Sequence, residues 1–228
     1  MRISLLLIGF TFVFCCSSKA EDWPQFLGPA GNSTNLNAKT LTQWSQKNYV
    51  WSTEIPGSGW SSPVYANGKV WVTTAITSEP TPEQLAKKRA GVQFAEIKTL
   101  AGSVELKAIA IDLNSGKIIH DVSLAKVDSP ELINPLNSYA SPTPAISGDK
   151  VVCHFGNYGT WCLDANSGRQ LWSIKFVVDH SVGPGSSPVI HRDKVILVCD
   201  GIDDQFVAAV DLESGQPIWK TQRPPMRS

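Results

Sequence analysis

The 228-residue chain has no excess of charge of either sign. Lysine and arginine together number 20, and aspartate and glutamate together number 20. Nucleic acids and anionic membranes attract proteins through clusters of positive charge. The balanced composition therefore argues against nucleic acid or an anionic membrane as the main partner.

The sequence also lacks the spacings that carry metal or hydrolytic chemistry. It has four histidines and five cysteines, with no Cys-x-x-Cys or His-x-His pair among them, and such pairs are typical of zinc sites. No Gly-x-Ser-x-Gly is present to place a nucleophilic serine on a strained turn. We therefore expect no catalytic residues and no metal site.

Long apolar runs are absent as well, because the run over residues 3–14 is too short for a lasting transmembrane helix of about 20 residues. A basic residue precedes this run and a small-x-small pattern follows it at residues 18–20, so residues 1–20 are predicted to be a signal peptide. We expect a protein exported to the periplasm or beyond. A lipoprotein anchored at Cys15 or Cys16 is the alternative, although a bulky residue would then stand where a small one is needed.

What the sequence does contain is a motif that occurs three times. Its template is small-x-Asp-x-x-Ser-Gly-x-x-x-Trp, and the copies surround Asp112, Asp164 and Asp211. The copies follow one another after 52 and 47 residues. A motif that returns at such a spacing indicates a repeat architecture.

Each repeat is predicted to form four short antiparallel strands, because β-branched runs alternate with turn residues. In the repeated turn, the aspartate accepts hydrogen bonds from backbone amides and the glycine supplies a positive φ. A four-stranded sheet with two apolar faces must stack on neighbouring sheets. The sequence therefore predicts an all-β fold, a β-propeller with blades at about residues 60–124, 139–176 and 184–222.

The rest of the chain is divided around these blades. Residues 21–47 are interpreted as an N-terminal extension, residues 48–222 as the partial propeller and residues 223–228 as a tail. A leading strand is expected over residues 49–55. An insertion in the first blade, at about residues 79–103, is predicted to be partly helical, because Thr81 can cap a helix that begins at Pro82.

The tryptophan that ends each motif is expected to cover the edge of a neighbouring blade. His120 takes the place of this tryptophan in the first copy. The predicted docking residues are Trp51, Asp112, Gly116, Asp164, Gly168, Trp172, Asp211, Gly215 and Trp219.

The repeated motif resembles the tryptophan-docking motif of the pyrroloquinoline quinone (PQQ)-like propeller repeat family. That family includes quinoprotein alcohol dehydrogenases and the outer-membrane assembly lipoprotein of the β-barrel assembly machinery. Residues 23–26, 137–144, 154–160 and 183–188 are similar to a bacterial exported group within it. Since propellers close with about 4–8 blades, the resemblance implies an incomplete propeller, either the N-terminal part of a longer one or a half that needs a partner.

Residues expected to contact a ligand lie near strand starts and hairpin tips, where the ligand face of a propeller would be. They are Trp60, Asn137, Tyr139, His154, Tyr158, Asp200 and Asp203. The carboxylates of Asp200, Asp203 and Asp204 could hold a cation through oxygen ligands. The sequence favours the other interpretation, in which this run is a polar hairpin tip.

Two cysteines raise the question of a disulfide. Cys153 and Cys162 flank a turn, and they oppose each other across a hairpin if Asn157 and Tyr158 are its loop residues. An exported protein could oxidise such a pair, although directly opposed residues make a strained bridge. The alternative is that both are small buried hydrophobic residues, and the sequence leaves both interpretations open.

For function, we expect an exported, non-catalytic scaffold that presents propeller loops to a protein partner or an extracellular ligand and can self-associate through open edges. The family resemblance implies an alternative, one part of an oxidoreductase that uses PQQ with calcium. Quinoproteins of this kind often join two adjacent cysteines, and the adjacent pair here, Cys15 and Cys16, lies in the predicted leader. No segment reproduces the calcium or base motif of these enzymes, so a bound cofactor is not expected.

Overall fold

The structure, a computed structural model, describes residues 21–36, 41–180 and 182–225. The predicted signal peptide over residues 1–20, with Cys15 and Cys16, lies outside the described residues, as does the end of the predicted tail. Within the described part of the chain, no helix combines the length and the apolar character that a membrane crossing needs.

Twelve strands in the described residues form three four-stranded antiparallel sheets. The first sheet contains β1 (Val64–Ala66), β2 (Lys69–Thr77), β3 (Val104–Asp112) and β4 (Ile118–Val127). The second contains β5 (Ala145–Ser147), β6 (Lys150–His154), β7 (Thr160–Asp164) and β8 (Gln170–Ile174). The third contains β9 (Val189–His191), β10 (Lys194–Asp200), β11 (Gln205–Asp211) and β12 (Pro217–Gln222). The predicted fold class, an incomplete propeller of four-stranded blades, is confirmed.

The sheets stack radially, with their first strands together. β1 contacts β5 and β5 contacts β9, so the fourth strand of each sheet lies on the outside. One apolar core lies between the first two sheets and includes Trp71, Leu106 and Val151. A second core lies between the second and third sheets and includes Trp172 and Phe206. The second sheet contributes to both cores because successive residues point to opposite faces, with Val151 in the first core and Val152 in the second.

The N-terminal segment is tied to the inner strands of two sheets. Trp23 and Tyr65 of β1 exchange two backbone hydrogen bonds of 2.8 Å. The carbonyl of Pro24 accepts from the amide of Ile146 in β5 at 2.7 Å. By contrast, residues 49–55 form no strand, so the predicted leading strand is wrong. Strand pairing needs backbone hydrogen bonds to a neighbour, and residues 50–55 make none to a described strand.

The insertion between β2 and β3 contains the predicted helix, α1 (Pro82–Arg89). Thr81 caps it: its Oγ1 accepts from the amide of Gln84 at 3.1 Å, and its own amide donates to Gln84 Oε1 at 2.8 Å. These reciprocal bonds satisfy two backbone groups that a helix start would leave free. Leu100 of the insertion packs with Leu132 in the connection after the first sheet, which fixes the insertion to the propeller.

The three repeated turns have the same geometry. In the third copy, Asp211 Oδ1 accepts from the amide and the hydroxyl of Ser214 at 2.8 and 2.7 Å. These bonds hold the pKa of Asp211 below its usual value, and the corresponding serines do the same for Asp112 and Asp164. The turn ends at Gly215, whose φ of +70° would strain any other residue.

A flat side chain covers each of these turns from outside its own sheet, and we call each such contact a joint. At the joint between the second and third sheets, Trp172 Nε1 donates to the carbonyl of Leu212 at 2.9 Å. Its ring lies so close to Gly215 that a Cβ there would be 2.6 Å from a ring carbon. Trp51 covers the turn of the first sheet, with Nε1 donating to Leu113 at 2.6 Å. Glycine is therefore required at the turn by both backbone φ and the ring above it.

The joint between the first and second sheets is built differently. His120 covers Gly168, with ring atoms 3.1 Å from where a Cβ would stand. Its Nε2 is buried and has no hydrogen-bond partner among the described residues. The Trp71 ring stacks on His120, with the ring centroids 5.8 Å apart and the planes at 24°. Trp71 thus supplies part of the ring surface that His120 lacks.

Strand register explains this arrangement. Trp71, Ala110 and His120 are paired in one row across β2, β3 and β4. The equivalent row of the second sheet is Val152, Cys162 and Trp172, running across β6, β7 and β8. The large ring therefore stands on the second strand in the first sheet and on the fourth strand in the second sheet.

This exchange of positions predicts coupled stabilities. Trp71→Val should cost about 2–4 kcal/mol of unfolding free energy through the cavity it leaves, and His120→Trp about 1–3 kcal/mol through crowding against Trp71. The double variant places valine on the second strand and tryptophan on the fourth strand, as in the second sheet. We therefore expect its loss of unfolding free energy to be smaller, by at least about 1 kcal/mol, than the sum of the losses in the two single variants. Urea unfolding of the four proteins measures this coupling.

The control is Trp60→Val, at a tryptophan that is 57 % exposed and belongs to no joint. It should change the unfolding free energy by about 0.5 kcal/mol or less. Strictly additive costs for the Trp71 and His120 substitutions would show that the two rings do not share one joint.

Candidate functional site

The connections between strands divide between two faces of the molecule. In each sheet the turn after the first strand and the Asp-x-x-Ser-Gly turn after the third strand lie at one face, because antiparallel strands reverse direction. The connections after the second and fourth strands lie at the other face, which we call the loop face. It carries the insertion, the β6–β7 and β10–β11 loops and both connections between sheets.

A groove of about 780 Å³ crosses the loop face. Its walls come from residues 88–98 of the insertion, residues 131–135 after the first sheet, and Asp179, His180 and Val182 after the second sheet, with Ile202 from the β10–β11 loop. Apolar side chains with large exposed fractions line it: Phe94 (61 %), Ile97 (64 %), Val182 (50 %) and Ile202 (69 %). Three sheets thus contribute to one apolar surface.

Two tyrosines predicted at the ligand face hold one wall of this groove. Tyr139 is buried; its hydroxyl donates to the carbonyl of Glu131 at 2.8 Å and accepts from the amide of Ala101 at 3.1 Å. The Tyr158 hydroxyl accepts from the amide of Glu131 at 3.0 Å. Burial raises the pKa of both hydroxyls, so they stay protonated. Their place is behind the groove, where they fix the backbone at Glu131.

Asn137 joins the two connections between sheets. Its Nδ2 donates to the carbonyls of Val182 and Pro184 at 2.8 and 3.1 Å. Its Oδ1 accepts from the amide of Ser138 at 2.8 Å and from the hydroxyl of Ser141. With its donors and acceptor engaged in this way, Asn137 positions the wall that contains Val182.

Two histidines lie near one another behind the same wall. His154 is buried and shares a 2.8 Å hydrogen bond between its Nδ1 and Thr160 Oγ1. Burial and, to a smaller extent, the charge of His180 lower the pKa of His154 to about 4. Burial also lowers the pKa of His180, which lines the groove. Both rings are therefore neutral at pH 7, and His154 is not among the groove residues.

Two carboxylates line the groove, Glu131 and Asp179. Burial and the charge of Asp179 raise the pKa of Glu131, with burial the larger cause. A hydrogen bond from the Asn157 side chain lowers this pKa and so opposes them in part. Neither carboxylate forms a salt bridge with another described residue. The partly buried Glu131 and the exposed Asp179 therefore stand in the groove without a salt-bridge partner, although Lys88 and Lys98 line the same groove.

The run of aspartates at the β10–β11 loop is engaged within the chain. Asp200 pairs with Arg223, and Asp203 Oδ1 accepts from the amides of Asp179 and Asp204 at 2.8 and 2.9 Å. Asp204 pairs with Lys220 at 3.0 Å. This is the geometry of a polar hairpin tip, the interpretation that the sequence favours.

Among the described residues, no group of three or more histidine, cysteine, aspartate or glutamate side chains is arranged to hold a metal ion. Trp60, the exposed aromatic ring predicted at the ligand face, lines a separate depression of about 310 Å³. The structure therefore does not bring Trp60 together with the groove.

The groove residues Phe94, Ile97, Val182 and Ile202 were not predicted from the sequence. The one available signal was the presence of apolar residues in otherwise polar loops. Their convergence depends on how three sheets stack, which sequence spacing does not show.

The predicted opposition of Cys153 and Cys162 is wrong by one residue. Cys153 pairs with Trp161 and Cys162 pairs with Val152, because five residues, including the 3₁₀ turn Gly156–Tyr158, connect β6 and β7 where two were assumed. A shift of one residue turns a side chain to the other face of the sheet. Cys153 consequently lies in the first core and Cys162 in the second, and both are free thiols.

Comparison with protein families identifies one matching model. The family described as "Outer membrane protein assembly factor BamB" matches residues 76–227. A relative with that same name, from Burkholderia pseudomallei (strain K96243), is 28 % identical over 194 residues. The aligned region is 76 % of this chain and 48 % of the relative, so the chain spans about half the relative's length.

Solved structures also match this chain. The europium-containing methanol dehydrogenase matches with a TM-score of 0.50 and 18 % identity, covering 80 % of this chain and 29 % of that one. The crystal structure of BamB from Moraxella catarrhalis matches with a TM-score of 0.37 and 24 % identity, covering 55 % of this chain and 35 % of that one.

The burial of the cysteines predicts low thiol reactivity. Burial raises the pKa of Cys162 to about 12 and of Cys199 to about 11, and it raises that of Cys153 further. Since the thiolate is the reactive form, the folded chain without residues 1–20 should react slowly with Ellman's reagent. In guanidinium chloride, without a reductant, all three thiols should react. One reactive thiol in place of three would reveal a disulfide.

Proposed function

Because this chain belongs to the family described as outer membrane protein assembly factor BamB, we propose that it is an exported, non-catalytic propeller scaffold that binds another polypeptide during outer-membrane protein assembly. The apolar groove on the loop face is the observation that carries this proposal. Phe94, Ile97 and Ile202 are each more than half exposed there. Scattered exposed apolar residues are normal, whereas a contiguous patch marks an interaction site.

The rigidity of the groove supports a binding function. Tyr139, Tyr158 and Asn137 hold its walls through hydrogen bonds to backbone groups. Walls that are already ordered lose less conformational entropy when a partner binds. The hydrogen bonds at the loop face thus serve to present the apolar side chains.

The alternative, part of a quinoprotein oxidoreductase, has less support. The methanol dehydrogenase resembles this chain in fold, and one fold hosts many functions. The described residues contain no group of three or more histidine, cysteine, aspartate or glutamate side chains arranged to hold a metal ion, and the groove is lined mainly by apolar side chains.

Site-specific photo-crosslinking tests the scaffold function. With a photoreactive phenylalanine in place of Phe94, in cells that export the protein, we expect crosslinks to an outer-membrane assembly component or precursor, identified by mass spectrometry. The matched control carries the same group in place of Lys117, which is exposed on the opposite face. Equal crosslinking at both positions, or none at the groove, would contradict the proposal. Crosslinks to a second copy of this chain would instead indicate self-association.

Quinone titration tests the alternative. If the chain is a non-catalytic scaffold, adding PQQ and calcium to the purified chain should change neither its melting temperature nor the quinone absorbance. A ligand that binds the folded state raises its stability. A saturable, calcium-dependent rise in melting temperature would therefore favour the oxidoreductase.

A further inference from the structure

We propose that the loop-face groove selects a basic residue: its occupant is an extended segment of a partner polypeptide in which a lysine or arginine is flanked by apolar side chains. This inference rests on the proposed scaffold function and adds to it the chemistry of the partner. The charges in the groove would determine this selection, because the apolar walls alone would accept any apolar segment.

Glu131 and Asp179 provide the negative charge. Both line the groove, each is close enough to influence the other, and neither has a salt-bridge partner among the described residues. Glu131 is partly buried and loses hydration that a hydrogen-bonded or oppositely charged partner replaces, whereas Asp179 is exposed. An incoming ammonium or guanidinium group would compensate Glu131 and would also be attracted by Asp179.

The neighbouring cations do not already fill this role. Lys88 lines the groove and its charge lowers the pKa of Glu131, but its Nζ donates to the carbonyl of Ser129 at 3.1 Å and forms no ion pair with a described carboxylate. Lys98 lines the groove, and Lys175 lies within electrostatic range of Glu131; neither forms an ion pair with a described residue. His180 is neutral at pH 7 because burial lowers its pKa. The carboxylates therefore remain available to a ligand.

The apolar walls determine what stands beside the charge. Phe94 and Ile97 lie on the insertion and Ile202 on the β10–β11 loop, and all three line the same groove. Lysine and arginine have long aliphatic stems that pack on such surfaces while the charged head reaches a carboxylate. An aromatic ring such as Phe94 also attracts a cation. The walls come from the insertion, from both connections between sheets and from the β10–β11 loop, so the groove extends across three sheets. A groove of this extent fits an extended chain better than a compact amine.

Fluorescence polarisation with the full chain tests the selection. The probe is a dye-labelled peptide with one lysine between two phenylalanines, and its twins carry glutamate or norleucine in place of the lysine. We expect the lysine peptide to bind about tenfold more tightly than either twin. This difference in affinity lies between the contribution of an exposed ion pair and that of a desolvated one. The double variant Glu131→Gln with Asp179→Asn should bind all three peptides equally.

Glu54→Gln is the matched control, because Glu54 is an exposed carboxylate outside the groove; it should leave the preference unchanged. Circular dichroism and melting curves confirm that each variant is folded. The unaltered chain could instead bind all three peptides equally, and Phe94→Ser could abolish that binding. This result would overturn the charge selection and would still support the scaffold function. Absence of peptide binding would overturn this inference, while crosslinking at the groove tests the scaffold separately. If octylamine displaces the labelled peptide as effectively as the unlabelled lysine peptide does, the inference that the occupant is a polypeptide would be overturned.

Discussion

The structure depends on one contact, a flat ring pressed on a glycine turn of the next sheet. Each sheet has two apolar faces and cannot bury both alone. The ring at each joint fixes the distance and the rotation between neighbours, since it lies where a Cβ would be and, for Trp51 and Trp172, donates to a backbone carbonyl. Any residue larger than glycine at position 215 would push the second and third sheets apart, and at position 116 it would displace Trp51.

The joints lie at one face, and this leaves the opposite face free to vary. Turns that bear the joints are short and uniform, because their aspartate and serine side chains are committed to the turn itself. The loop face carries the insertion and the long connections, whose backbone is held by Tyr139 and Asn137. A rigid scaffold with variable loops is how many folds separate stability from binding. The groove is the product of this separation in the present chain.

Local features of this molecule could be predicted from the sequence, and relations between distant segments could not. The strands, the repeated turn and the helix capped by Thr81 follow from periodicity and turn chemistry. The pairing of Cys153 with Trp161 depended on loop length, which the sequence did not reveal. Tyr139 was expected to meet a ligand because of where it stands along the chain, yet its hydroxyl serves the backbone. The tertiary neighbours of a polar residue decide whether its side chain faces the ligand side of a loop or the protein interior.

The transposed rings of the first sheet bear on how such repeat arrays diverge. At the joint of His120, the bulk normally carried by the fourth strand has moved to Trp71 on the second strand, within one row of paired residues. A lineage can therefore erase the signature tryptophan of one copy while the geometry between sheets persists. Counting blades by that signature alone would undercount them, and a search for the row of three residues across strands would find the copies that the signature misses.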